Sequence, residues 1–549
     1  MQRPSFLAVT WLRSARQRLA NLILMQLCPN VLRPSFLELT TSDSDGKTPF
    51  VGEIVSFTET LWDEALYFSL AYLSINVKIR LKSLRGVFMQ EGELRMKVVK
   101  FGGSSLADGA SYEHAIKIIT SDPERRVVVT SAPGKRNADD IKVTDLLIKY
   151  AHAIIKNDDQ EAMVVRKTIL DRYQAIADYF DLPSGQMQPL VERLANLPNR
   201  DYPNNNYLLA AFKAHGERLN AELMSLVLNR LGHPARFVTP EEVGLKVAGT
   251  PNNATVIPET YARLANFSFS KHDIIVFPGF YGITLAGHIA TFSRGGSDIT
   301  GAILARGLHA EMYENFTDVD AIYSANPNVV KDPQPITRMT YREMRELSYA
   351  GFSVFHDEAL IPAIQGNVPI NVKNTNNPEK PGTLIVPDHS FQPTDIITGV
   401  VSGKHFAALY LHKYLLNKES GFTLRILEIL ARHDVSYEHM PSGIDDITII
   451  FDKKELDDEL VDIICNEIQE EINPDRLEWI DNYAITMVVG EGMRNRTGVI
   501  NDILNPIAEK HIAVPMINMG ASRIAIMIGT YNQDADAAVR AIYHRFFAN

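Results

Sequence analysis

From Met96 to about Val386, short continuous apolar runs alternate with segments of helical period. That alternation predicts an α/β layer fold with a mainly parallel sheet. Val98 and Val99, flanked by lysines, predict a buried strand that stops at Phe101-Gly102-Gly103-Ser104-Ser105, with a helix from near Tyr112. Val127-Val128-Val129-Thr130-Ser131 predicts a second strand, running into Ala132-Pro133-Gly134-Lys135. Ile274-Ile275-Val276-Phe277 predicts a third, running into Pro278-Gly279-Phe280-Tyr281-Gly282. Between them Leu219, Leu223, Leu226 and Val227 share one helical face, with Gly216-Glu217 near the start and Gly232-His233-Pro234 at the stop. Ile299 to Leu308 predicts a further helix, capped by Ser297 or Asp298.

Pro378 to Pro393 is proline-rich and reads as a boundary. Beyond it the pattern becomes two similar halves. The first is strand Phe406–Lys413, helix Gly421–Leu430, strand Val435–Tyr437, strand Asp446–Phe451 and helix Leu456–Ile468. The second is Tyr483–Val489, Gly498–Leu504, Ile512–Val514, Arg523–Ile528 and Ala535–Phe546, with Gly421 matching Gly498 and Val435 matching Ile512 at the same offset. A βαββαβ unit present twice is an internal repeat. It holds no nucleophile–base arrangement, so binding or regulation is its expected task.

Residues 1–95 differ in texture: five arginines and no acidic residue occur up to Leu37. This suits an organellar transit peptide. The preferred expectation is an over-extended start, with the protein opening at Met96 directly before its first core strand.

Composition narrows the classes. The chain has 549 residues, room for two to four domains, and a formal net charge of −11 that argues against nucleic acid or an anionic membrane as main partner. Two cysteines, Cys28 and Cys465, leave no disulfide framework or cysteine-rich metal site, and a reducing cytoplasm is the expected location. No apolar run reaches bilayer length.

The strand ends carry the candidate chemistry. A strand stopping at Gly102-Gly103 lets backbone N–H groups approach an anion, and Lys100 adds a full charge. No G-x-x-x-x-G-K-[ST] occurs, so this is not a Walker A loop. Thr291-Phe292-Ser293-Arg294-Gly295-Gly296-Ser297-Asp298 supplies a second Gly-Gly after a strand, with a guanidinium suited to a carboxylate. Two anion sites in one domain suit a nucleotide phosphate and a carboxylate substrate. In Thr317-Asp318-Val319-Asp320 the two aspartates are expected on an extended segment, and on spacing alone they are not a convincing carboxylate pair for a metal. Glu217, taken alone, reads as a helix-start or solvated carboxylate, and Tyr323 either stacks on a purine or closes the core.

Together, Lys100-Phe101-Gly102-Gly103-Ser104-Ser105, Gly216-Glu217-Arg218-Leu219, Arg294-Gly295-Gly296-Ser297-Asp298 and Thr317-Asp318-Val319 resemble the aspartate kinases of the amino-acid kinase family. The C-terminal repeat resembles their tandem ACT domains. The resemblance implies a three-layer αβα kinase domain over 96–392, ACT units over 393–480 and 481–549, and residues 1–95 as an extension. It implies ATP-dependent phosphorylation of the β-carboxylate of L-aspartate, with Mg²⁺. Lys100 and Asp298 would be catalytic. Ser131, Thr144, Glu217, Phe280, Thr291, Arg294 and Ser297 would line the aspartate pocket. Lys100, Gly102, Gly103, Ser104, Thr317, Asp318 and Tyr323 would hold ATP. Gly421, Phe422, Tyr437, Glu438 and Ser442 would bind a feedback amino acid, lysine first and threonine second, in a dimer or larger assembly. No metal-ligating cluster of side chains is implied.

Asn328 and Asn376 depart from the pattern, standing where the family carries an arginine and a lysine. Lys331 or Lys373 are candidate substitutes. A kinase for glutamate or N-acetylglutamate, and a non-catalytic amino-acid sensor on a degenerate kinase fold, are the competing readings.

Overall fold

The computed structural model describes residues 95–547 apart from 271, 294, 350 and 352–356, with the backbone alone for Asp357, Glu358 and Glu455. The expectations for residues 1–94 and for Arg294 lie outside the described residues.

The strand Lys97–Phe101 is central to an eight-stranded sheet. Arg125–Thr130, Ile274–Pro278 and Ala235–Phe237 follow on one side, all parallel. Met312–Thr317 and Ile370–Asn374 follow in parallel on the other. Thr383–Val386 then pairs antiparallel, and Arg338–Thr340 closes the edge. Successive side chains on a strand point to opposite faces, and here both faces are covered. Val98, Val127, Val129, Ile275 and Phe277 join one core with Ile299, Ile303 and Leu304 of the helix Gly296–Gly307. Val99, Phe101, Val128 and Val276 join the other, beneath the helices Gly109–Thr120, Val143–Ile155, Asp159–Tyr179 and Asn205–Arg230. A parallel sheet buried on both faces is why these strands read as unbroken apolar runs.

Three local expectations are corrected. The helix carrying Glu217 starts at Asn205, not near Gly216, because Asn204 caps it through N–H donors of Asn206 and Tyr207. Glu217 is therefore a buried mid-helix residue. The helix Gly296–Gly307 is capped by Gly295 in a left-handed conformation (φ 74°) with no side-chain cap, so Ser297 and Asp298 are freed for other contacts. The strand Met312–Thr317 ends before Asp318, and Asp318-Val319-Asp320 bends rather than extends.

The C-terminal part is one five-stranded sheet rather than two separate ones. Its strands Gly399–His412 and Arg476–Val489 run antiparallel through both repeats. Asp446–Asp452 flanks one end, and Ala525–Thr530 with Met516–Met519 flanks the other. Each end has its own core. Phe422, Ile426 and Ile429 of the helix Phe422–Arg432 pack with Ile464 and Ile468 of Asp458–Ile472. Val499, Ile503 and Ile507 of Val499–Glu509 pack with Val539 and Ile542 of Asn532–Phe547.

The repeat persists in detail, since Gly421 and Gly498 are both left-handed helix caps (φ 79° and 84°). Val435 and Ile512, expected in strands, instead end helices. The Val435 N–H reaches Leu430 O and the Ile512 N–H reaches Ile507 O, after left-handed Asp434 and His511. This is the Schellman stop with its apolar partner, which explains why an apolar residue repeats there.

Glu343, fully buried in the helix Tyr341–Tyr349, ties the two parts together. One carboxylate oxygen accepts the Thr340 N–H. The other accepts the Thr398 hydroxyl at 2.6 Å and the Glu491 N–H at 2.8 Å, at the root of the C-terminal sheet.

Candidate active site

Ligands in open parallel sheets sit beyond the carboxyl ends of the strands, and four strand ends meet here. Backbone bonds continue past the strands: Gly102 N–H to Phe316 O, Ser131 N–H to Phe101 O, and Gly279 N–H to Thr130 O. The loops after Phe101 and Thr130 touch backbone to backbone, with Gly134 N–H donating to Gly103 O at 2.8 Å. A Cβ on Gly103 would fall 2.7 Å from Ala132 O, and one on Gly134 would fall 2.6 Å from Gly103 C. Both glycines are required by this approach. Ser104 is exposed, with Gly102 and Gly103 half-buried, so the loop is open to a ligand.

Lys100 is only 8 % exposed, yet its Nζ lies 2.7 Å from Asp298 Oδ1 in the first turn of Gly296–Gly307. Asn315 stands opposite Lys100 on the neighbouring strand, and its Nδ2 donates to the same Asp298 oxygen at 2.6 Å. Asp298 thus fixes the lysine, and the positive end of its helix faces the same place. The helix Gly109–Thr120, which follows the Gly102-Gly103 loop, has Asp108 over its end, accepting the Ser111 N–H.

Glu217 is 5 % exposed, and its Oε2 is buried without a hydrogen-bond partner among the described residues. Burial pushes its carboxyl up to about 8, offset in part by the Ala132 N–H and by Lys213. Gly216 permits this depth, since a Cβ there would fall 2.7 Å from the Ala132 Cβ. Asn220, one turn on, holds the Ser131 carbonyl at 2.6 Å and bonds the Tyr112 hydroxyl. Thr144 is half-buried in the first turn of Val143–Ile155, whose Val143 N–H reaches Pro133 O on the Ser131 loop.

Phe280 adopts φ 77°, a strained conformation for a non-glycine residue. Its N–H donates to Thr300 Oγ1 at 3.0 Å, and its ring lies against Gly296. Gly279 makes room for Ser297 Oγ, and Thr291 is buried at the end of the adjoining strand Ile289–Thr291. The structure therefore gathers Lys100, Asp298, Ser131, Glu217, Phe280 and Ser297 around the same strand ends. Residues whose place the sequence did not single out are Lys213, whose Nζ lies 5.7 Å from the centre of the Phe280 ring, and Asn315.

On the far side, Thr317 is half-buried and Asp318 exposed, joined by a hydrogen bond of 3.1 Å. Tyr323 lies half-buried in the short strand Ile322–Tyr323. Asp320 accepts from Asn374, Asn377 and Lys380, and these hold its carboxyl down to about 2. Lys380 brings positive charge to the turn where Asn376 departs from the family pattern. Lys331 is exposed, and burial lowers the pKa of half-buried Lys373. Among the described residues no three acidic, histidine or cysteine side chains converge as a metal site.

In the C-terminal sheet, Gly421 is exposed, and Lys413 and Arg425 flank the buried Phe422 ring. The 441–445 loop joins the approach to Gly421 through Lys413 N–H to Asp445 O and Asn417 N–H to Ile444 O, with Ser442 exposed. Tyr437 is 44 % exposed. Glu438 neighbours Tyr349 of the catalytic part, whose hydroxyl pKa is raised by burial and by that carboxylate.

Comparisons with known proteins agree with this architecture. Residues 95–374 match the model of the amino acid kinase family, and 487–546 match an ACT domain model. The chain is 44 % identical over 455 residues to Aspartokinase 3 of Bacillus subtilis, covering 82 % of this chain and 99 % of that one. The crystal structure of Clostridium acetobutylicum aspartate kinase is similar at 35 % identity and a TM-score of 0.73, over 83 % of this chain and all of that one. E. coli aspartokinase III, solved with aspartate and ADP, shares the fold at 24 % identity and a TM-score of 0.66, over 82 % of this chain and 100 % of that one. With a kinase core and C-terminal sheet of this kind, the chain belongs to the aspartate kinases of the amino acid kinase family.

Proposed function

We propose that these strand ends transfer the γ-phosphoryl group of ATP to the β-carboxylate of L-aspartate, giving 4-phospho-L-aspartate, the first step toward lysine, threonine and methionine. The observation that carries the reading is the Lys100–Asp298 pair at the end of the central strand, with Glu217, one of whose carboxylate oxygens has no partner among the described residues, in the same cluster. An aspartate side chain has a pKa of about 3.9 and is already ionised at neutral pH, so the acceptor needs no base. Catalysis then rests on in-line placement and charge neutralisation.

Lys100 neutralises charge on the transferring group, and Asp298 with Asn315 holds it in place. Gly102, Gly103 and Ser104 cradle phosphate oxygens. Glu217 receives the α-ammonium, whose charge offsets the burial that disfavours the ionised carboxylate. Ser131, Thr144, Phe280, Thr291 and Ser297 shape the acceptor pocket, with Arg294 for a carboxylate. Thr317, Asp318 and Tyr323 meet the nucleotide. Mg²⁺ would arrive on the triphosphate and keep phosphate and water ligands.

The C-terminal sheet senses an end-product amino acid near Gly421, Phe422, Tyr437, Glu438 and Ser442, with lysine the first choice and threonine the second. Exposed Tyr414, Leu415 and Ile444 beside that loop suit pairing with a second chain. Among the described residues no helix is long and apolar enough to cross a membrane, and the composition suits the cytoplasm. The test is ATP-dependent acyl-phosphate formation, trapped with hydroxylamine. Turnover with L-aspartate and not L-glutamate, suppressed by lysine or threonine, is expected. No turnover with either acceptor, together with saturable amino-acid binding, would replace this reading with that of a sensor.

A further inference from the structure

Lys213 sits one helical turn before Glu217 on Asn205–Arg230, so the two side chains share a face. The helix is docked on the neighbouring hairpin through Ala214, Tyr281 and Ile283. From there the Lys213 ammonium reaches over the Phe280 ring, 5.7 Å from its centre. That ring is held by the left-handed Phe280 backbone, the Thr300 hydroxyl and the bare face of Gly296. Half-buried Lys213 closes no ion pair among the described residues, and Glu217 is the acidic charge that acts on it. Glu217 Oε2 is itself buried without a partner among the described residues. An ammonium and a carboxyl group, each incompletely paired among the described residues, thus stand a turn apart beside a fixed aromatic wall.

We propose that Lys213 is a specificity-determining residue of the acceptor pocket, receiving the α-carboxylate of the amino acid while Glu217 receives its α-ammonium. This rests on the functional reading above. The clamp recognises the zwitterionic end of any α-amino acid and leaves the distal carboxylate directed to Lys100. Arg294, outside the described residues, can share the two carboxylate oxygens with an ammonium. A solvated lysine merely covering an aromatic ring would carry none of this selectivity.

The test compares wild type, Lys213→Met and Lys213→Arg with L-aspartate and with L-isoasparagine. The latter keeps the β-carboxylate and ammonium but has an α-carboxamide, and it is measured as substrate or as competitive inhibitor. Loss of a charge-assisted contact is expected to raise the L-aspartate KM of Lys213→Met about 10- to 100-fold. The KM for ATP and the constant for isoasparagine should stay within about threefold, and Lys213→Arg should recover part of the loss. The unchanged isoasparagine constant reports that the variant is folded. Equal losses for both ligands, or an unchanged aspartate KM, would overturn the inference while leaving the functional reading intact. A wild-type protein inactive toward aspartate would overturn that reading, and the clamp with it.

Discussion

Lys100 and Glu217 show how a residue's neighbours decide its chemistry. A lysine in a strand core is costly to bury unless paired, and Asp298 at 2.7 Å supplies the pairing at the place where phosphoryl charge must be met. Lys100→Ala should lower turnover by about 10²- to 10³-fold, with the thermal midpoint reporting that the fold survives. Loss of less than about threefold would contradict the assignment. Glu217 makes a prediction of opposite kind. Burial raises its carboxyl from 4.5 to about 8, so the folded chain holds a proton that the unfolded chain has released. Its contribution to stability is full below the unfolded value and is lost as pH rises through about 8. The thermal midpoint of wild type should therefore fall relative to Glu217→Gln between about pH 5 and pH 9. Parallel midpoints would contradict this burial. The sequence flagged Glu217 only through its motif, because helical spacing cannot distinguish a buried carboxylate from a solvated one.

At the scale of elements, the strands were legible because a doubly covered parallel sheet needs continuous apolar runs, as Val98-Val99 and Val127-Val128-Val129 supply. Loop-to-loop contacts were not, since nothing local records that Gly103 and Gly134 meet. Gly103→Ala should cost about 1–3 kcal/mol and more than about tenfold in activity, because the new Cβ meets a carbonyl oxygen. Gly185→Ala, with nothing within 4 Å and a helical backbone, is the control and should be neutral or stabilising in the same thermal and kinetic assays. Equal behaviour of the two would sink the close-approach argument. The misplaced strands at Val435 and Ile512 arose because an apolar residue after a helix serves a Schellman stop as readily as a strand, and its left-handed neighbours Asp434 and His511 carry no glycine to announce it. The cap expected at Ser297 or Asp298 is absent for a related reason. Gly295 caps the helix with its backbone, and this frees Asp298 for Lys100.

Across the whole molecule, the repeat was visible but its fusion into one sheet was not, because two strands of 14 residues each serve both halves. Glu343 joins this sheet to the catalytic part by two hydrogen bonds from Thr398 and Glu491. Breaking a buried carboxylate network of this kind costs about 1–3 kcal/mol. Glu343→Gln should accordingly lower the thermal midpoint and weaken inhibition by the effector several-fold. Retention of both wild-type midpoint and wild-type inhibition would show that coupling runs elsewhere.

The central claim, that the β-carboxylate of aspartate receives the phosphoryl group, is tested most directly by identifying the carbon activated. Borohydride reduction of the acyl phosphate formed from L-aspartate and ATP converts the activated carboxyl to an alcohol. Phosphorylation at the β-carboxylate predicts homoserine. Recovery of 3-amino-4-hydroxybutyrate, the product of activation at the α-carboxylate, or of no reduced amino acid at all, would contradict the account.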